Sequence, residues 1–223
     1  MPVSFSPKYL WFLMLCYCMF LSLSNFLDSA PISIFGFTVT FGAIIYPLTF
    51  VFADIITYVY GYKFTIVSIL SALLFNILFI ASGYFVAFHL ADTALVDKEA
   101  LQLVLKLDYW VILASFVSYL VSEPLNGILV ARIKIKFKDN IALAFLTSTL
   151  IASSVDSVLF SYLAFRHTND NNFIFEMMIH ILAIKVAVEL IALPFSIRIT
   201  KKLIKSELLA KLFSLIATPL KLV

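Results

Sequence analysis

Residues 64–90 read FTIVSILSALLFNILFIASGYFVAFHL, a run from Phe64 to Leu90 without one Asp, Glu, Lys or Arg. A helix needs about 20 apolar residues to cross the hydrocarbon core of a bilayer, so this run is long enough to span it. Working outward, the same criterion is met by Lys8–Leu27, Gly42–Gly61, Tyr109–Ala131, Ile141–Phe165 and Phe173–Ile199. Composition agrees: 63% of residues are hydrophobic and 13% charged, with a mean hydropathy of +1.06. Soluble domains are roughly half apolar and a quarter charged. The predicted fold is an all-α integral membrane protein, a bundle of six transmembrane helices in one domain over residues 1–205. Residues 206–223 follow as a cytoplasmic amphipathic tail suited to an anionic leaflet.

The formal charge of +3 is not gathered into a stripe that would bind nucleic acid. Arg132, Lys134, Lys136 and Lys138 crowd the fourth connection, and Arg198, Lys201, Lys202, Lys205 and Lys211 follow the last span. The opposite connections hold only Lys98, Lys106 and Arg166. The positive-inside rule then predicts that both termini are cytoplasmic. Residues 1–7 lack a basic start and a small-residue cleavage pattern, so the first span is expected to be retained. Between the first two spans, Pro31 to Thr40 alternates β-branched and aromatic residues about Gly36, which predicts a short extended or hairpin excursion. Ala91 to Asp108 reads as an interfacial or solvated loop helix. Cys16 and Cys18 lie on different faces of the first span, without metal-ligand partners nearby, and read as buried thiols.

Asp54, Glu123, Asp156, Lys185 and Glu189 fall well inside predicted spans. Each costs about 2.5–3.5 kcal/mol at a helix centre on insertion scales, so they must face one another, water or a ligand. Helical spacing places them on stripes: Tyr46, Phe50, Asp54 and Thr57 in the second span, and Phe116, Tyr119, Glu123 and Asn126 in the fourth. The fifth span carries Thr149, Ser153, Asp156 and Phe160, and in the sixth Lys185 stands one turn before Glu189, where the two can pair. One lysine does not neutralise four carboxylates. Pro47, Pro124 and Pro194 interrupt three of these spans, and broken helices present backbone acceptors to solutes in transporters; a plain packing kink is the alternative. His89 and His167 fall at span ends, and His180, inside the sixth, reads as a hydrogen-bonded structural histidine.

The sequence has no metal-ligand cluster, phosphate-binding glycine loop or Walker motif, so neither metal nor other cofactor is expected and an ATPase would have to be a partner. No nucleophile and base pair for an intramembrane enzyme stands out. Carboxylates, one lysine and many aromatic rings suit a planar heterocycle: a carboxylate accepts two parallel N–H bonds, a lysine donates to an exocyclic oxygen, and rings stack on the faces. Amino acids, vitamins and cations fit the same inventory.

Pro31 to Ala43, Phe52-Ala-Asp-Ile-Ile-Thr-Tyr-Val-Tyr-Gly61, Ser153-Ser-Val-Asp-Ser-Val-Leu-Phe160 and Lys185 ahead of Pro194 resemble the queuosine precursor transporter family over nearly the whole chain. The resemblance implies a six-helix bacterial inner-membrane importer of 7-deazaguanines such as 7-cyano-7-deazaguanine, its aminomethyl relative or queuine, salvaged for tRNA modification. It implies site roles for Asp54, Asp156 and Lys185. The chain departs from the family's usual pattern at Tyr58, in place of Glu, and at Glu123-Pro-Leu-Asn126, in place of Gln-x-x-Asp. The full set of expected substrate-binding residues is Asp54, Thr57, Glu123, Asn126, Asp156, Lys185, Glu189, Phe50, Tyr119 and Phe160. The expected partners are a nucleobase-like solute and the lipid bilayer, with a homo-oligomer open. The alternative is the substrate-binding subunit of an energy-coupling-factor vitamin importer, although the first span lacks a small-residue docking face for such a partner. The likeness of Phe52-Ala-Asp54-Ile-Ile-Thr57 to Val155-Asp156-Ser157 also raises inverted three-helix halves.

Overall fold

The computed structural model describes residues 7–27, 31–34, 37–90, 109–137, 140–167 and 170–217. Six of its helical stretches are long and apolar enough to cross a membrane. The first, α1, covers Leu10–Leu27. A two-stranded antiparallel hairpin follows, β1 (Pro31–Ile34) paired with β2 (Phe37–Thr40), Pro31 opposite Thr40 and Ile34 opposite Phe37. This is the excursion that the alternating residues predict, and apart from short caps and turns the rest of the described chain is helical.

The second span is broken. Its first piece, α2 (Phe41–Ile45), is capped by Thr40, whose hydroxyl accepts from the Ala43 N–H at 3.1 Å. Tyr46 separates it from α3 (Pro47–Tyr60), which Pro47 opens at the position where a missing N–H costs nothing. Pro47 therefore starts a helix rather than kinking one, while Pro124 and Pro194 lie inside continuous helices. Gly61 then turns the chain within one residue into α4 (Tyr62–Phe85), at φ 98°, a conformation that L side chains rarely adopt. The last turn of that span, residues 86–90, is π-helical.

Residues 91–108, which read as a loop helix in the sequence, lie outside the described residues. The remaining helices are α5 (Tyr109–Lys136), α6 (Ile141–Phe165) and α7 (Asn171–Ala217). Asn140 caps α6 by accepting from the Leu143 N–H at 3.0 Å. The fourth span reaches Lys136 rather than Ala131, because apolar residues alternate with the basic ones and Lys134 finds an acceptor within the bundle, the Tyr58 carbonyl. The last helix does not stop near Ile199: it runs on without a break to Ala217.

Packing turns the usual soluble pattern inside out. Large apolar side chains such as Trp11, Leu74, Leu150 and Ile191 are exposed, as a lipid-facing surface requires, while Asp54, Glu123, Asn126, Asp156, Lys185 and Glu189 are all buried. Span Phe41–Tyr60 is the most buried of the six, and α3 touches α1, α4, α5, α6 and α7. One apolar cluster joins Leu10, Leu13, Val51, Ile55, Tyr58 and Phe145; a second joins Tyr17, Leu21, Ala53, Ile69 and Tyr119. Helices α4 and α5 approach so closely at Gly127 that a Cβ there would stand 3.1 Å from the Tyr62 ring. Cys16 and Cys18 are half-buried free thiols.

Candidate functional site

A cavity of about 270 Å³ lies toward one end of the bundle, between the hairpin and the buried ionisable residues. Its wall is drawn from the end of α1 (Ser24, Asn25), from α2 (Gly42, Ala43), from the start of α5 (Val111, Ser115), from the end of α6 (Phe160, Phe165) and from α7 (Met177, His180). All of these fall in the half of the bundle next to the hairpin. Asp156, Lys185 and Tyr46 also line it.

There Lys185 of α7 forms an ion pair with Asp156 of α6, both almost wholly buried. The partner is not Glu189, one turn further along the same helix, which the spacing alone offers. Ser122 donates to Asp156 Oδ1 at 2.8 Å, and Tyr46 reaches the same oxygen at 3.4 Å. Lys185 lies within 3.4 Å of the Ser157 hydroxyl, with its ammonium 5.1 Å from the centre of the Tyr46 ring. Phe50 stands edge-on to Tyr46, ring centres 5.7 Å apart, and holds that ring in place. Every charge at the cavity wall therefore has a partner, as burial demands.

Beyond the cavity, toward the opposite end, lies a second polar layer. Thr49 of α3 donates to Glu123 Oε1 at 2.7 Å. Asn126 Nδ2 donates to Asp54 Oδ1 at 2.5 Å, and Thr149 of α6 reaches Asp54 Oδ2 at 3.3 Å. Glu189, one turn further down α7 than Lys185, is buried as well. Thr149 and Asp156 are seven residues apart on one helix, about 10 Å of rise, so Asp54 sits roughly two turns deeper than Asp156.

The ten expected site residues thus divide. Asp156, Lys185 and Phe160 line the cavity; Glu123, Asp54, Asn126 and Glu189 form the layer beneath it. Phe50 supports Tyr46. Tyr119 is not brought to the cavity: its hydroxyl donates to the Ile69 carbonyl at 3.0 Å and meets the Tyr17 hydroxyl at 2.9 Å, which ties α5 to α4 and α1. Thr57 is drawn away too, bonded to Thr65 at 2.7 Å across the Gly61 turn. Tyr46, Ser115, Ser118 and Ser122 were not among the expected site residues, although Tyr46 shares the Asp54 stripe and the three serines recur at i, i+3 and i+7 on the face of α5 that carries Glu123.

At the far end the chain is closed by Glu207, on the extension of α7. One of its oxygens accepts from the backbone N–H of Lys8 at 2.9 Å, from that of Tyr9 at 3.3 Å and from the Tyr60 hydroxyl at 2.7 Å. Nearby, Lys134 donates to the Tyr58 carbonyl and lies 4.6 Å from the centre of the Tyr58 ring. Read from the hairpin downward, polar groups form a column: Asp156 and Lys185, then Glu123 and Thr49, then Asp54 and Asn126, then Thr57 and Thr65, and finally Tyr60 and Glu207.

Comparison with known proteins gives one family. The family model described as "putative vitamin uptake transporter" matches residues 40–199, which contain α2 to α6 and α7 as far as Ile199. No curated protein and no solved structure matches the chain.

Proposed function

This chain belongs to the "putative vitamin uptake transporter" family, and from that membership we propose that it imports a queuosine precursor across a bacterial inner membrane. Its six apolar helices and its transporter family mark it as a multi-pass membrane protein. The proposed solute is a 7-deazaguanine: the 7-cyano base, its aminomethyl relative or queuine.

One observation carries this reading: the Lys185–Asp156 pair stands in the wall of an aromatic-lined cavity of about 270 Å³. Ligand pockets measure roughly 300–1,000 Å³, so a cavity just below that range suits a small solute of nucleobase size. A fused bicyclic base offers an N–H edge to Asp156 and an exocyclic oxygen to Lys185, with Tyr46 and Phe160 for its faces. The serines at 115 and 118 add hydrogen-bonding capacity along the same wall.

The topology fits uptake. The cavity lies at the hairpin end, and the lysine-rich ends of α5 and α7 lie at the other. With the lysine-rich end cytoplasmic by the positive-inside rule, the cavity faces outward and Glu207 closes the inner side.

Uptake of radiolabelled 7-cyano-7-deazaguanine, by cells that cannot make queuosine but express this chain, tests the proposal. Import that restores queuosine in tRNA supports it. Uptake no greater than in cells with the empty vector overturns it, and uptake that appears only with an added ATPase partner turns the chain into a binding subunit.

A further inference from the structure

Five carboxylates are buried among the described residues; Glu207 closes the far end, and the other four, Asp54, Glu123, Asp156 and Glu189, share one buried lysine, which is engaged by Asp156. Asp54, Glu123 and Glu189 are left in the layer beneath the cavity without a cationic partner among the described residues. Their surroundings are also unbalanced in a specific way. The buried polar atoms of this layer that lack a hydrogen-bond partner are Glu123 Oε2, Asn126 Oδ1 and both carboxyl oxygens of Glu189. Each of them is an acceptor. The layer is short of donors, and nothing in it is short of acceptors.

We propose that this layer is a proton-binding site, centred on Glu189 with Asp54 and Glu123, whose proton moves with the solute and drives its accumulation. The inference rests on the transporter reading above. A proton supplies both things that the layer lacks: it removes one negative charge from a place that water does not reach, and it turns a carboxyl acceptor into an O–H donor. Glu189 stands out because neither of its oxygens is bonded, whereas Asp54 is held by Asn126 and Thr149, and Glu123 by Thr49. A metal cation fits the layer less well, since no three His, Cys, Asp or Glu side chains among the described residues stand together as metal ligands.

The titratable and charged groups around the layer come from every helix that bears on it. They are Tyr17 of α1, Tyr46 between α2 and α3, Asp54 of α3, Tyr119 and Glu123 of α5, Asp156 of α6, and Lys185 and Glu189 of α7. Lys185 is one turn from Glu189, and Ser122, next to Glu123 in the chain, donates to Asp156. A solute that draws Lys185 or Asp156 toward itself changes the field at the proton site, and this links the two occupancies.

The test uses the full chain in liposomes loaded with a pH-sensitive dye. With 7-cyano-7-deazaguanine added outside, we expect acidification of the lumen together with solute entry, and an inwardly directed proton gradient is expected to raise accumulation at least tenfold. Glu189→Gln should lose both effects. Solute entry that ignores the gradient and moves no protons overturns the proton site while leaving transport intact, as does entry that follows a sodium gradient instead. If no 7-deazaguanine enters, the transport reading fails, and infrared spectroscopy of the purified protein still decides the proton site. A protonated-carboxyl band at neutral pH that weakens in Glu189→Gln supports the proposal, and wild-type protein without such a band overturns it.

Discussion

Lys185 on α7 reaches across to Asp156 on α6, 29 positions away in sequence, and passes over Glu189 one turn along its own helix. Removing the lysine alone therefore strands Asp156. Loss of one partner of a buried pair costs about 3–5 kcal/mol, while replacing both is often close to neutral. Lys185→Ala is expected to lower the thermal midpoint of the purified protein sharply, and Lys185→Ala with Asp156→Ala to recover most of the loss. Adding Glu189→Ala to Lys185→Ala should recover much less. Equal recovery by the two double variants, read in a thermal unfolding assay, would show that the pair is not specific.

Phe160 separates recognition from stability. It lines the cavity without bonding to the ion pair, so Phe160→Ala leaves Asp156 and Lys185 matched. Stacking of a base on an aromatic ring is worth about 1–3 kcal/mol, so the variant should bind 7-cyano-7-deazaguanine roughly 5- to 150-fold more weakly. Calorimetric titration of the purified protein measures this directly. Unchanged affinity would remove Phe160 from the site.

Glu207 holds the start of α1 and the end of α3 through a single oxygen. Hydrogen bonds to a charged group contribute about 1.5–3 kcal/mol each, and the two backbone donors lose their partner if the side chain is cut back. Glu207→Ala is expected to expose the segment before α1 to protease, with Glu207→Gln intermediate because its amide oxygen still accepts. Limited proteolysis at matched enzyme ratios reads the order.

Gly61 tests the backbone rather than a contact. A Cβ added there meets nothing within 4 Å, so any loss in Gly61→Ala comes from φ 98° alone. The left-handed side of the map costs an L residue about 1–2 kcal/mol. A drop of that size in unfolding free energy, without change in solute affinity, is the expected result.

The spans were legible because length and apolarity are one-dimensional properties, and the burial of Asp54, Glu123, Asp156, Lys185 and Glu189 followed from the cost of placing them in lipid. The hairpin was legible from alternation about Gly36. Partnerships were not, because helical spacing reports neighbours on one helix only: it offered Glu189 to Lys185 and was blind to Asp156 on another. Tyr119 and Thr57 share stripes with acids, yet their hydroxyls are taken by Ile69 with Tyr17 and by Thr65. Their stripes point inward, but a helix buried on several sides has more than one inward direction. The wall serines escaped notice because serine is common in membrane helices and satisfies itself on a carbonyl of the preceding turn, as Ser118 does on Ser115.

The unbroken α7 has a mechanical consequence. Its 47 residues make a rod of about 70 Å, more than twice the roughly 30 Å hydrocarbon thickness it has to cross. Lys185, at the cavity, sits about 50 Å from the rod's last turn. A swing of about 10° about that lysine carries the far end through roughly 8 Å, several times the sideways shift of Glu189, less any bend that Pro194 takes up between them. Whatever happens to the rod at the cavity is thus magnified at the lysine-rich end, where Glu207 fastens it to the first helix. The last helix is a lever whose short arm ends at the cavity and whose long arm carries the latch.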